Sequence, residues 1–183
     1  ERRLDDERCA SEASGPPNVL VFTAFSQDYS IGYICEHINR QYCEEHGYLF
    51  RSYIEPYKTI VETIAPKKHC TWYKVWLIRQ LLSQQDFIRE NNIRYIMWID
   101  ADALVVEHGV PIQSIIAMGQ NRDLIIAEDM NPGCLVNAGV MLIRTSNFSR
   151  ALWDDVWACD KYDDVFFYEQ SALMGCLKAR REG

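Results

Sequence analysis

The stretch RYIMWIDAD, residues 94–102, runs from a series of apolar and aromatic side chains directly into two aspartates. A continuous apolar run of this kind is typical of a strand that is buried on both faces of a sheet. Asp100 and Asp102 follow at the carboxyl end of that strand, which is the end where open α/β sheets bind ligands. Side chains at i and i+2 of an extended chain point the same way, so we expect both carboxylates to face one side. The stretch therefore predicts a buried strand that ends in a candidate binding site.

The segments around this stretch alternate between apolar runs and helical patterns. The first run, NVLVFTAF at 18–25, predicts a strand, and an amphipathic helix over 31–47 follows, which Gly47 ends. This alternation predicts a three-layer α/β domain, in which helices flank a largely parallel central sheet. The other predicted elements are a strand at 48–54, a connection at 55–70, a helix at 72–82 that extends toward Asp86, strands at 103–106, 124–127 and 140–144, a helix opened by Pro111, and helices at 148–159 and 169–181.

Length and composition limit the class of protein. The 183 residues, 48% of them hydrophobic and 25% charged, suit a single folded domain, which we assign to residues 18–183. Residues 1–17 are polar and contain Gly and Pro, so they are expected to be a disordered or loosely attached lead-in. Because the chain starts with Glu1 and stops at Gly183 after basic residues, we expect it to be a piece of a longer protein.

The charge balance and the cysteines exclude several functions. The net charge of -7 argues against a nucleic-acid binder, because phosphate contacts need a basic face. No run approaches the roughly 20 apolar residues of a membrane span. Seven cysteines without a C-x-x-C pair argue against a zinc or thioredoxin-like site. The turn after the first strand, TAFSQ at 23–27, lacks the G-x-G-x-x-G pattern of dinucleotide-binding domains.

The two aspartates allow three interpretations. Their carboxylates suit a hard divalent ion such as Mg²⁺ or Mn²⁺, which keeps coordination positions open for phosphate oxygens. Asp is also common in turns, so the pair would equally serve as solvated acids that cap a turn. Phosphatases of the haloacid-dehalogenase type place an Asp nucleophile in a similar D-x-D motif, here Asp100. Their pattern continues to Thr or Val, where this chain has Leu104, and it lies on the first strand rather than in mid-chain.

Other polar residues are candidates with ordinary structural alternatives. Asn137 and Gly139 precede a strand, where the glycine would allow close backbone approach to a ligand or would simply form a turn. Glu169 and Gln170 open the last helix, where they would cap it or bind hydroxyl groups. Lys74 is a candidate for binding a phosphate, and His69 and His108 are candidates for binding a metal. All three would equally be ordinary solvent-exposed side chains without a functional role.

Four blocks of residues stand in a fixed order between about residues 69 and 175. They are HCTWYKVWLIR at 69–79, WIDADA at 98–103, LVNAGVMLIR at 135–144 followed by WDDVW at 153–157, and EQSAL at 169–173. In sequence and order these blocks resemble a family of Golgi glycosyltransferases. That family includes yeast α-1,2-galactosyltransferase, the Mnn-type mannosyltransferases and plant xyloglucan α-1,6-xylosyltransferases.

The resemblance implies a GT-A fold, a divalent metal that is usually Mn²⁺ or else Mg²⁺, and a nucleotide-sugar donor. It further implies transfer of the sugar from a UDP- or GDP-sugar to a glycan or other hydroxyl acceptor, with retention of configuration. By position, Asp100 and Asp102 would bind the metal. The expected donor-binding residues are Thr23, Ala24, Phe25, Lys74, Asp100, Ala101, Asp102, Asn137 and Gly139, and the expected catalytic residues are Glu169 and Gln170.

The chain departs from that family in three ways. Glu169 stands where the family has Asp, and no His follows His108 to match the third metal ligand of the family. We expect water, donor phosphates or a C-terminal segment outside this sequence to complete the metal shell. The membrane anchor of the family is also missing, as in a trimmed domain from the Golgi lumen or a cytoplasmic relative. Two rival functions stay open, a phosphohydrolase with Asp100 as nucleophile and a non-catalytic domain that binds nucleotide or glycan.

Overall fold

One sheet of five strands lies at the centre of the part of the chain that the structure describes, residues 18–64, 67–131 and 133–182 of a computed structural model. The predicted lead-in at 1–17 lies outside these residues. In the spatial order β2-β1-β3-β5-β4, β1 pairs in parallel with β2 and β3, while β5 is antiparallel to β3 and β4. Four of these five strands run in one direction, which confirms the mostly parallel sheet. The strands are β1 (Asn18–Ser26), β2 (Leu49–Glu55), β3 (Ile93–Ile99), β4 (Leu124–Ala127) and β5 (Asn137–Arg144).

Helices cover both faces of the sheet, because successive side chains of each central strand point to opposite faces. On β1, Leu20 and Phe22 belong to one hydrophobic core, and Val19 and Val21 belong to the other. The helices are α1 (Ser30–His46), α2 (Tyr57–Thr63), α3 (Tyr73–Ser83), α4 (Gln85–Glu90), α5 (Ile112–Met118), α6 (Asn147–Trp157) and α7 (Tyr168–Glu182), with short 3₁₀ turns at Cys70–Trp72 and Asp160–Tyr162. Side chains of α3, α6 and α7 fill the first core, and those of α1 and α5 fill the second. The three-layer α/β architecture is confirmed.

Gly47 ends α1 as predicted. It adopts a left-handed conformation with φ 70°, and its backbone N–H bonds to the carbonyls of Cys43 and Glu44. Glycine reaches this conformation without the steric cost that a Cβ atom adds.

The strand predicted at 103–106 is wrong, because these residues form a loop. The reason is the buried amide of Asn39 on α1. Its Nδ2 donates to the Ala103 carbonyl at 3.0 Å, and its Oδ1 accepts from the Val105 backbone N–H at 2.9 Å. The amide thereby satisfies the backbone groups that a neighbouring strand would otherwise pair.

Two helices also differ from the prediction. The connection at 55–70 contains α2, whose Ile60 packs into the core. The helix that was expected to extend toward Asp86 instead ends at Ser83, and α4 follows as a separate helix after Gln84. None of the helices in the described part of the chain has the length and apolar character of a membrane span.

Thr23, in the middle of β1, carries a fully buried hydroxyl. Its Oγ1 has no hydrogen-bond partner among the described residues, and the residue is 1% exposed. A buried polar group without a partner costs folding free energy, because it loses its hydrogen bonds to water.

We therefore predict that Thr23→Val raises the free energy of unfolding by about 1 kcal/mol, because a methyl group replaces an unsatisfied hydroxyl of similar shape. The matched control is Thr145→Val, which removes a hydroxyl that donates to the Ile93 carbonyl at 2.9 Å. The free energy of unfolding of the control should fall by about 1 kcal/mol, because its hydrogen bond is lost. Urea denaturation measures both variants, and equal losses of stability in the two would contradict the prediction.

Candidate functional site

A buried ammonium group joins three elements at the carboxyl edge of the sheet. Lys74 lies in the first turn of α3 and is 8% exposed. Its Nζ is 3.0 Å from Asp100 Oδ1 after β3, and 3.3 Å from Glu169 Oε1 at the start of α7. It also donates to the Ala138 carbonyl of β5 at 3.2 Å. An ammonium group has three donors, and here each of them has an acceptor within reach.

The charge on Lys74 is stabilised by these partners. Burial alone lowers the pKa of the ammonium group, but the carboxylates of Glu169 and Asp100 together raise it by more. The net result is a pKa above the ordinary value, so Lys74 stays charged at neutral pH. One positive charge then faces two carboxylates, and the group as a whole remains negative.

Asp100 is held from several sides. Besides the Lys74 ammonium, the Trp98 indole Nε1 donates to Oδ1 at 2.7 Å, and the Asp100 backbone N–H donates to the Gly139 carbonyl at 2.8 Å. The second oxygen, Oδ2, accepts no hydrogen bond from the residues that the structure describes. This arrangement fixes the carboxylate while leaving one oxygen available.

Asp102 is exposed and lies in a turn rather than on an extended strand. The Ala103 backbone N–H donates to the Asp100 carbonyl at 3.0 Å, and this bond closes the turn. The expectation that both aspartates share one face of an extended chain is therefore wrong, although both line the same cleft. The Tyr29 hydroxyl lies 3.3 Å from Asp102 Oδ2, and burial and the Asp102 charge raise the pKa of Tyr29, which keeps the phenol a donor.

The first of two neighbouring clefts has a volume of about 400 Å³, within the range of small-molecule sites. Four of the expected donor-binding residues besides the aspartates line it: Ala24, Phe25, Lys74 and Ala101. Thr23 is buried in the sheet and does not belong to this lining. The other residues around the first cleft are Ser26, Tyr29, Tyr57, Ile60, Cys70, Thr71, Tyr73 and Trp98.

The second cleft, of about 280 Å³, shares Thr71, Lys74 and Asp100 with the first. The Lys74–Asp100 ion pair thus lies between two adjoining spaces. The other residues of the second cleft come from β5, from the two residues before α7 and from the start of α7: Asn137, Gly139, Phe166, Phe167, Tyr168, Glu169 and Gln170.

Gly139 permits a close approach between β5 and Asp100. A Cβ atom at this position would lie 2.8 Å from Asn137 Oδ1 and 3.1 Å from Asp100 Oδ2. Gly139 is therefore part of β5 at a position where a Cβ atom would clash with Asn137 Oδ1 and lie tightly against the Asp100 carboxylate, and the interpretation as a simple turn does not hold.

Glu169 and Gln170 both point toward other elements. Gln170 Oε1 accepts from the Ala138 backbone N–H at 2.8 Å, so it ties α7 to β5. Glu169 Oε1 faces Lys74, while its Oε2 is buried and has no hydrogen-bond partner within the described residues. The expected catalytic pair thus lies beside Asp100 in the second cleft, whereas Asp102 lines only the first cleft.

Asp129 is a site residue that the sequence reasoning missed. Its Oδ2 accepts from Asn137 Nδ2 at 3.1 Å and from Gln170 Nε2 at 3.3 Å. The Asn131 backbone N–H, and then these two amides, lower the pKa of the Asp129 carboxyl. A carboxylate only accepts, so it turns both amide NH₂ groups toward itself and fixes their oxygens on β5. The signal was present, because Asp129 follows the apolar β4 much as Asp100 follows β3.

The two candidate histidines lie outside both clefts. His69 stacks on Tyr168 with ring centroids 4.0 Å apart, and His108 pairs with Glu45 at 2.9 Å. Neither lines the two clefts. In the described ranges, no group of three or more His, Cys, Asp or Glu side chains is placed to hold a metal ion.

Comparison with known proteins gives a structural likeness. Neither a protein-family model nor a curated protein sequence matches this chain. A glycosyltransferase involved in the glycosylation of the major capsid of PBCV-1 superposes with a TM-score of 0.62 at 19% identity, over 86% of this chain and 74% of that one. The glycosyltransferase GlyE of Streptococcus pneumoniae TIGR4 superposes with a TM-score of 0.55 at 16% identity, over 86% of this chain and 43% of that one. The chain therefore has the fold of these glycosyltransferases, which confirms the predicted α/β fold class.

The ion network yields a stability prediction. Lys74→Met should lower the free energy of unfolding by about 3 kcal/mol, because it leaves Glu169 buried without a cation. The double variant Lys74→Met/Glu169→Gln should recover part of that loss. The control is Lys58→Met, which removes an exposed pair with Glu62 and should cost less than about 0.5 kcal/mol. Urea denaturation at pH 7 measures the free energy of unfolding of each variant. If Lys74→Met loses no more stability than Lys58→Met, the stabilising role of the Lys74 ion pairs is disproved.

Gly139→Ala provides a second check. Alanine usually suits a strand better than glycine, yet here the collision with Asp100 and Asn137 should destabilise the protein by about 1–3 kcal/mol. Gly133→Ala is the matched control, because its Cβ would meet only Asn131 Oδ1 at 3.4 Å. In thermal denaturation, Gly139→Ala should have a lower melting temperature than the wild type, and that of Gly133→Ala should be nearly unchanged. A stabilised Gly139→Ala protein would refute the close approach.

Proposed function

We propose that this chain transfers a sugar from a nucleotide-sugar, a UDP- or GDP-sugar, to a hydroxyl group of a glycan or other acceptor. One observation carries the proposal. Asp100 and Asp102 follow a buried strand and open onto the first cleft, while Asp100 and Lys74 also border the second. Two adjoining clefts with a shared wall suit a reaction between two substrates, and the fold is that of known glycosyltransferases.

The donor set at the first cleft fits a hard divalent ion. Asp100 Oδ2 and Asp102 Oδ1 accept no hydrogen bond from the described part of the chain, and both belong to carboxylates. Mg²⁺ and related ions are often held by only one or two carboxylates, with waters and substrate phosphates as the other ligands. Asp100 and Asp102 would hold Mn²⁺ or Mg²⁺, which when bound would neutralise charge on the departing nucleoside diphosphate.

The protein's own residues have distinct roles in this proposal. Ala24, Phe25 and Ala101 give the first cleft a wall for the nucleotide, and Lys74 fixes Asp100 in place. In the second cleft, Asn137 and Glu169 supply polar groups beside the position where donor sugar and acceptor would meet. Holding the two substrates together lowers the entropic barrier to transfer. Retention of configuration is part of the proposal through the family resemblance.

Binding of nucleotides tests the donor and the metal together. We expect UDP or GDP, and the corresponding sugars, to raise the melting temperature in the presence of Mn²⁺ and not with a chelator. Mn²⁺ alone should give a smaller shift, because among the described residues that line the first cleft only Asp100 and Asp102 are carboxylates. Absence of any metal-dependent shift with UDP, GDP and CDP or their sugars would rule out the proposal.

Asp102→Asn should weaken the metal-dependent binding of the nucleotide at least tenfold by calorimetry while leaving the fold intact, since it removes an exposed charged ligand. Asp86→Asn, which alters an exposed pair with Arg89 on α4, should bind as the wild type does. Unchanged binding in Asp102→Asn would show that this carboxylate has only a structural role.

Product analysis separates the rival functions. Release of sugar from the bound donor, with or without acceptor, supports the transferase. Phosphate release from p-nitrophenyl phosphate, together with an aspartyl adduct of beryllium fluoride, would instead favour the phosphohydrolase. Nucleotide binding without turnover would favour the non-catalytic domain.

A further inference from the structure

Three consecutive aromatic residues, Phe166, Phe167 and Tyr168, form one side of the second cleft. Phe166 is 73% exposed, an unusual position for a large apolar side chain. Its ring contacts Phe167 at 4.4 Å and Tyr168 at 6.4 Å between centroids, so the ring is braced and not isolated. The cleft therefore has an exposed aromatic surface at its rim.

The backbone that presents this ring is strained. Phe167 and Tyr168 have positive φ angles of 69° and 39°, a region that bulky residues rarely adopt. The conformation is maintained by the Ser171 hydroxyl, which donates to the Phe166 carbonyl at 3.0 Å, and by the Gln170 backbone N–H, which donates to the Phe167 carbonyl at 2.8 Å. Such strain concentrates at ligand-binding and active sites.

The rest of the second cleft is polar. Asn137, Glu169 and Asp100 border it, and Glu169 Oε2 lacks a hydrogen-bond donor among the described residues. A ligand hydroxyl is a suitable donor for such a carboxylate, and hydrogen bonds to charged acceptors are strong ones. An aromatic surface next to unsatisfied acceptors suits a ligand that has one apolar face and a rim of hydroxyl groups.

We propose that the acceptor is a saccharide whose ring packs on Phe166 and whose hydroxyl groups face Glu169 and Asn137. This inference rests on the proposed function and specifies the acceptor class of the same site. A sugar ring has C–H groups on its face and hydroxyl groups around its edge, which matches the two kinds of surface. A lipid would leave the polar groups without partners.

Phe166→Ala tests the inference, with Phe166→Tyr as the conservative variant. The probes are the methyl glycosides of glucose, galactose, mannose and xylose, observed by saturation-transfer NMR in the presence of Mn²⁺ and UDP. We expect Phe166→Ala to weaken binding of the preferred glycoside about tenfold, a change in the range of aromatic packing energies. Phe166→Tyr should bind nearly as well as the wild type.

Two controls make the result specific. Phe148→Ala removes another exposed aromatic ring, on α6 and outside both clefts, and should leave glycoside binding unchanged. Binding of UDP with Mn²⁺ should stay within twofold in Phe166→Ala, because that residue lines only the second cleft. In transfer assays the KM for the saccharide should rise about tenfold while kcat changes less than threefold.

Failure of this inference is distinguishable from failure of the proposed function. If nucleotide binds and the donor is turned over, but no glycoside binds or Phe166→Ala binds the glycosides normally, the saccharide inference is wrong and the transferase stands. Transfer to a peptide or lipid hydroxyl in place of the saccharides would overturn it in the same way. If no nucleotide binds, the proposed function fails, while the NMR experiment without UDP still reads saccharide binding directly.

Discussion

The buried ammonium of Lys74 connects the end of β3, the start of β5 and the start of α7. Its three acceptors are Asp100 Oδ1, the Ala138 carbonyl and Glu169 Oε1, within 3.3 Å in every case. An unpaired charge at this depth would be costly, so the three elements are held at one mutual position or the pairing is lost. Asp100 then keeps a single orientation, and so does the wall between the two clefts. Local geometry that a ligand would meet on either side depends on this one group.

Much of the fold follows from local patterns, because the residues that decide them are close in sequence. The apolar runs before Ser26 and Asp100 predict β1 and β3, and Gly47 predicts the end of α1. The exceptions depend on distant partners. The loop at 103–106 is fixed by Asn39, more than sixty residues earlier, and the direction of β5 is set by its neighbours in the sheet. The hydropathy pattern predicts neither feature. It does not identify Asn39 as the partner of the loop, and the same pattern would fit a parallel or an antiparallel strand.

The candidate site shows the same division. The order of the sequence motifs predicts that Asp100, Gly139 and Glu169 belong to one site. In the structure Asp100 and Glu169 both pair with Lys74, and Gly139 lies against Asp100. Asp129 was not predicted, because an acidic residue after a strand has many ordinary roles. Only the structure shows that it accepts hydrogen bonds from the side-chain amides of Asn137 on β5 and Gln170 on α7. Thr23 illustrates the opposite case. The family resemblance placed it at the donor site, but strand alternation turns its side chain into the core.

Electrostatics explains why a phosphate-bearing donor would need a cation here. Among the described residues that line the two clefts, Lys74 is the only Lys or Arg side chain, and its hydrogen bonds already go to Asp100, Glu169 and a backbone carbonyl. Asp102 adds a further exposed negative charge to the first cleft. A diphosphate that approached these carboxylates alone would be repelled, whereas an ion bridging carboxylate and phosphate oxygens turns the repulsion into attraction. In the proposed site Asp100 and Asp102 would supply two carboxylates, and the phosphates would complete the ion's shell. Ion and nucleotide are therefore expected to bind cooperatively, each raising the affinity for the other by the same factor.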